Sequence, residues 1–191
     1  MKIATTKLTL EEYLNRTEEA EKHYELIAGS LSQMPPESPQ NAEIAIRLLL
    51  IFAQFIATPR LLRCKDTEIV VSGSRTTVRL PDLMVLTEEL ANILYDSGRS
   101  TIMSDMPPPA LVVEVVSPGK INQDRDYRYK RSEYGARGIS EYWIVDPQIN
   151  KVTVLILNEG LYEETVFKGE EAITSLVFPG LQITANQIFM S

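Results

Sequence analysis

The sequence predicts an α/β fold, a mixed β-sheet core flanked by helices, with an extra N-terminal helix and hairpin and further strands toward the C-terminus. Three observations predict it. Segments with apolar residues three and four positions apart alternate with segments of β-branched residues and turn signals. ALVVEVVS at 110–117 is almost continuously apolar, as in a central strand covered on both faces. A helical stretch separates it from EYWIVD at 141–146, so the three together read as a strand-helix-strand crossover.

Along the chain, Thr9 is placed as an N-cap with Glu12 at capping-box spacing, and Leu10, Tyr13 and Leu14 form the apolar stripe of a first helix over about 9–20. HYELIAGSLSQMPP reads as a hairpin turning at Ala28, Gly29 and Ser30 and closed by Pro35 and Pro36. The longest helical pattern spans 39–57; Ile44, Leu48, Ile51 and Phe55 share one side, and the remaining apolar positions imply burial nearly all round. Residues 61–86 are strand-rich, with a turn at Ser72, Gly73 and Ser74 and LMVL directly after Pro81 and Asp82. ELANILYD is a short helix, and Pro107, Pro108 and Pro109 deliver the chain to ALVVEVVS. A helix from about 122 to 135 is expected, capped by Asn122 and stopped near Gly135 and Gly138. EYWIVD, KVTVLIL and LYEETVFKG follow as strands, and TANQIF as a last short helix.

The 191 residues fit one domain, 1–191, large enough to bury a core. No apolar run approaches the ~20 residues that cross a bilayer, and MKIATTKLTLEEYL has no long apolar segment of the signal-peptide kind, so a cytoplasmic protein without a membrane partner is expected. With one cysteine (Cys64) and one histidine (His23), disulfides and a structural zinc site are excluded, and His23 reads as a surface residue entering a strand. A net charge of −7 disfavours indiscriminate nucleic-acid binding. A local basic face remains open: between 119 and 137, Lys120, Arg125, Arg128, Lys130, Arg131 and Arg137 outnumber Asp124, Asp126 and Glu133, and Tyr127 and Tyr129 could add stacking. The alternative for this run is a solvated helix face.

Two acids sit where acids are costly. Asp82 opens the LMVL strand and Glu114 interrupts ALVVEVVS. A carboxylate inside an apolar strand needs a positive partner. If the two strands are neighbours, both acids can converge on one hard divalent cation, and magnesium suits such a site. A lysine two residues after Glu114 would share its face of the strand, but that position is Val116. In the following helix Asp126, Lys130 and Tyr134 are spaced by four and share one face, so Lys130 could be aimed at Glu114. Each residue has a structural alternative: Asp82 a turn acid, Lys130 a solvated partner of Asp126, Tyr134 a packing residue, and Glu25 in YELIAG a half-exposed strand position.

Pro81-Asp82, Glu114 in an apolar strand and a following lysine together resemble the PD-(D/E)XK nuclease superfamily. More narrowly, YELIAGSL, LPDLMVL, PPALVVEVVSP, DYRYKRSEY and GISEYWIVDP, in this order from about Thr9 to Phe189, resemble the Uma-two-type restriction endonucleases, a bacterial family. The resemblance implies a restriction-endonuclease-like core and magnesium-dependent hydrolysis of DNA, with manganese as a substitute ion. Asp82, Glu114 and the main-chain carbonyl of Val115 would hold the metal, Lys130 would stand in for the strand lysine, and Glu25 matches the acid of the family's first hairpin. Lys120, Arg125, Arg128 and Arg131 would meet the nucleic acid, and a homodimer would suit cutting two strands. Val116 departs from the usual pattern, and Gln40 and Asn41 stand where relatives often carry histidine. The competing readings are a catalytically inactive nuclease fold that binds nucleic acid and a structural dimer module.

Overall fold

A computed structural model describes residues 7–16, 23–71 and 76–190. The far end of the expected first helix (17–20) and the turn at Ser72, Gly73 and Ser74 lie outside them. Helix α1 (Leu10–Leu14) opens on the expected capping box: the Thr9 hydroxyl accepts from the Glu12 N–H, and the Glu12 carboxylate accepts from the Thr9 N–H. Strands β1 (Tyr24–Ile27) and β2 (Ser30–Gln33) form the hairpin, its turn made by Ala28 and Gly29 at φ 49° and 79°.

Helix α2 (Pro39–Phe52) begins at Ser38, whose hydroxyl accepts from the Asn41 N–H. It stops short of the expected 57, and its burial is one-sided. Ile44, Ala45, Leu48 and Phe52 are buried, whereas Ile46, Leu50 and, beyond the helix, Phe55 are exposed. The expectation of burial nearly all round is corrected because α2 is an outer-layer helix.

Strands β3 (Leu62–Arg63), β4 (Glu68–Val71), β5 (Thr77–Arg79) and β6 (Leu83–Val85) lead to α3 (Glu88–Tyr95) and β7 (Thr101–Ile102). Then come β8 (Leu111–Val115), α4 (Lys120–Asp124), a π-helical segment (Arg125–Lys130), α5 (Arg131–Arg137) and β9 (Glu141–Asp146). Strands β10 (Lys151–Asn158) and β11 (Leu161–Lys168) and helix α6 (Ala185–Phe189) complete the order. No helix is long and apolar enough to cross a membrane among the described residues.

The strands divide between two mixed sheets, ordered β2-β1-β5-β4-β7 and β11-β10-β9-β8-β6-β3. The chain passes between the sheets several times, and the passage that sets Asp82 falls at Leu80, Pro81 and Asp82, between β5 and β6; Pro81 has no N–H with which to extend a ladder. In the larger sheet β8 and β9 are parallel and joined through the α4–α5 helices, the crossover read from the sequence. Both faces of this sheet are covered. Leu83, Val85, Leu111, Val113, Val115 and Trp143 pack with α2 and α6, with Phe52 edge-on to Trp143 at 5.5 Å. Met84, Val112, Val116, Tyr142 and Ile144 pack with α3, Tyr134 and residues of the smaller sheet.

The crossover helix differs from the expectation at its start and stops, as expected, at Gly138. It starts at Lys120, with Gly119 (φ 105°) before it, and the Asn122 amide instead donates to the Pro118 carbonyl at 2.7 Å. It runs through Gly135 and ends where Gly138 takes the left-handed conformation, φ 81°.

Candidate active site

Strand parity brings the two acids together. Strands β6 and β8 are antiparallel with Met84 opposite Val112 and Leu83 opposite Val113, so extending the register by one residue sets Asp82 opposite Glu114. Both then point to the face that carries Met84, Val112 and Val116, away from α2. The Val115 N–H donates to Asp82 Oδ2 at 2.6 Å, which fixes that carboxylate against the end of β8. Asp82, Glu114 and Val115 line one small cavity of about 30 Å³ together with Ser117, Arg125, Lys130 and the Met34–Glu37 segment. That is room for at least one water molecule.

The amine absent from position 116 comes from the crossover helix. Lys130 closes the π segment, where the widened turn still leaves Asp126, Lys130 and Tyr134 facing the sheet. Lys130 Nζ lies 2.7 Å from Glu114 Oε1 and 3.6 Å from both Glu25 Oε1 and Asp126 Oδ1. At 1% exposure Lys130 is no solvated surface lysine. The Tyr134 hydroxyl donates to Glu114 Oε1 at 2.6 Å, so Tyr134 binds the acid as well as packing edge-on to Tyr142. Burial pushes Glu114 up to about 7, outweighing the pull of Lys130, with Asp82, Asp126 and Glu25 adding like charge. Burial would lower the Lys130 ammonium, but Glu114, Glu25 and Asp126 overcome it and hold its pKa above the ordinary lysine value.

Glu25 faces the same cluster from β1. Its Oε2 accepts from Arg79 at 2.9 Å and its Oε1 from the Leu80 N–H at 3.3 Å. Burial opposes its ionisation, but Lys130 and Arg79 more than offset this and bring it below the usual carboxylate range. Arg79 is itself buried and grips Glu133 through two nitrogens, at 2.8 and 2.9 Å. A continuous line of ion pairs therefore runs Glu133–Arg79–Glu25–Lys130–Glu114. It connects the small cavity to an adjoining cleft of about 550 Å³ lined by Arg79, Arg125, Glu133, Ile121 and Tyr129 among others.

Of the basic residues expected to meet the nucleic acid, only Arg125 is gathered with it. Arg125 lines both cavities and pairs with Asp126 at 2.9 Å. Lys120 is exposed at the start of α4. Arg128 and Arg131 line a separate cleft with Tyr127 and Tyr162, where Arg131 pairs with Glu164 at 2.5 Å. Asn41 donates to the Val115 carbonyl at 3.3 Å. The sequence reading missed Arg79, Glu133, Glu37 and Lys65. TVRLPDL did carry a signal for Arg79, a charge in a β-branched run three residues before Asp82. Glu37 and Lys65 are ordinary loop charges with none.

Among the described residues no three His, Cys, Asp or Glu side chains are arranged to hold a metal ion. The cavity offers two carboxylates and the main chain of Val115, all oxygen donors. That set fits a hard dication that keeps most of its own waters, as magnesium does; metals that depend on thiolate or imidazole find neither there.

A family model described as "Putative restriction endonuclease", Uma2, matches residues 10–186. No curated protein matches the chain. Among solved structures, a crystal structure of a "putative nuclease belonging to DUF820" from Anabaena variabilis is similar, with a TM-score of 0.71 at 17% identity, covering 95% of this chain and 97% of that one. At that identity the likeness shows the fold alone.

Proposed function

The chain belongs to the Uma2 family, and on that premise we propose that it is a divalent-metal-dependent endonuclease that hydrolyses DNA phosphodiester bonds, acting as a single domain. The observation that carries the reading is the contact of Lys130 with Glu114 at 2.7 Å beside Asp82, in a cavity of oxygen donors. Asp82, Glu114 and the Val115 carbonyl would hold a magnesium or manganese ion, which when bound supplies Lewis acidity toward the phosphoryl group.

The chain's own residues do the rest. Lys130, kept protonated by three surrounding carboxylates, orients the attacking water or neutralises charge developing on the scissile phosphate. Tyr134 and Lys130 together fix the rotamer of Glu114. Glu25, pinned by Arg79 and the Leu80 N–H, positions Lys130 rather than leaving it free to swing. Arg125, which lines the cavity, and Lys120, exposed at the start of α4, would meet the DNA backbone, with Arg128 and Arg131 lining a separate cleft. A homodimer would present two such sites to two strands, and sedimentation of the purified protein tests it.

Plasmid nicking tests the activity. Magnesium- or manganese-dependent cleavage that is lost in Asp82→Asn, Glu114→Gln and Lys130→Met supports the assignment; cleavage retained in all three removes it. A catalytically inactive nuclease fold that binds nucleic acid or associates with itself is favoured by Val116 and by the pairing of every acid in the cavity with a cation. Salt-sensitive DNA binding without any cleavage would select that reading.

A further inference from the structure

Lys65 and Glu37 have no part in the chemistry above, yet they sit on it. Lys65 Nζ lies 3.0 Å from Asp82 Oδ1 and also pairs with Glu37. The other Asp82 oxygen, Oδ2, is taken by the Val115 N–H, so Lys65 holds the oxygen that would face a metal. Lys65 is also a non-glycine residue at φ 53°, a left-handed conformation kept only where the surroundings demand it. Glu37 belongs to the segment between β2 and α2 that lines the cavity with Asp82 and Glu114.

We propose that Lys65 is the resident cation of the metal site: it neutralises Asp82 and Glu37 when no divalent ion is bound, and the ion displaces it, freeing Glu37 to join the site. The inference rests on the metal site proposed above. Charge drives the exchange. With Lys130 already against Glu114, a dication cannot settle beside Asp82 while a second ammonium stays 3.0 Å from that carboxylate without strong like-charge repulsion. The leaving side chain has somewhere to go. Lys65 is a quarter exposed on a flexible stem, and it also lines a cleft of about 320 Å³ that carries Asp66 and Glu68. Because Glu37 is tethered through the same ammonium, its release loosens the Met34–Glu37 segment over the cavity.

The test is manganese titration of the full chain by calorimetry, without DNA, beside acylation of lysines read by mass spectrometry. A docked Lys65 makes only part of the population competent to bind, so Lys65→Met is expected to bind manganese about tenfold tighter than the wild type. Glu37→Gln in the Lys65→Met background is expected to weaken it again. In the wild type, manganese should raise acylation of Lys65 relative to exposed Lys120. Unchanged or weaker binding by Lys65→Met, or labelling that ignores manganese, overturns the proposal, and if Asp82→Asn still abolishes binding the metal site survives it. If the wild type binds no manganese, or Asp82→Asn binds as well as the wild type, both fall together.

Discussion

At the scale of single residues, Lys130 carries the most. It is shared by Glu114, Glu25 and Asp126; Arg79 also holds Glu25 and Arg125 also holds Asp126, so Glu114 depends on it most. Lys130→Met is therefore expected to lower stability by about 3–5 kcal/mol, read in urea unfolding, since it strands buried charge rather than removing a surface pair. A loss under about 1 kcal/mol would mean that the acids are neutralised in some other way. Glu114 carries the pH dependence. Its ordinary value of 4.5 is pushed up to about 7 in the fold, so the folded chain holds that proton more tightly than the unfolded one. The resulting stability is fully present below 4.5 and is lost as pH rises through about 7. A metal ligand must be ionised, so magnesium or manganese uptake should expel more proton at pH 6 than at pH 8, measured by calorimetry in buffers of different ionisation enthalpy. Equal release at the two pH values would contradict the assignment of Glu114 as a ligand.

At the scale of elements, the amine that meets Glu114 comes from the crossover helix and not from the strand. Position 116 faces the same way as Glu114, but Val116 is fully buried in the apolar cluster with Met84, Val112, Tyr142 and Ile144. Val116→Lys is expected to cost about 3 kcal/mol or more in chemical denaturation and not to rescue cleavage in Lys130→Met, because it would bury an ammonium among apolar side chains. Rescue would show that the strand and helix positions are interchangeable. What keeps the helix amine in place is the crossover: Gly119 admits the chain at φ 105°, the π turn widens the helix, and Gly138 ends it in the left-handed conformation.

At the scale of the whole molecule, the net charge of −7 would limit how the proposed DNA substrate is held. Of the basic residues expected to meet the nucleic acid, Arg125, Arg128 and Arg131 are already paired with carboxylates, so that part of the surface has little unpaired charge with which to displace counterions. The salt slope for DNA binding, read by fluorescence anisotropy, is expected to be no steeper than about −3; a slope near −6 would require a phosphate track elsewhere on the surface. The sequence by itself determined the elements that one-dimensional rules govern: the Thr9 capping box, the hairpin turn at Ala28 and Gly29, the parallel crossover, and the candidate acids Asp82 and Glu114 with a lysine four residues from Asp126. Those follow from periodicity, capping chemistry and the cost of placing a charge in an apolar run, all local quantities. Only the tertiary structure decided that the strands split into two sheets, that α2 buries a single face, and that Arg79, Glu133, Lys65 and Glu37 close around the acids. Which charges meet depends on strand register and sheet packing between residues tens of positions apart, and a loop lysine such as Lys65 looks the same in sequence whether it faces water or a buried carboxylate.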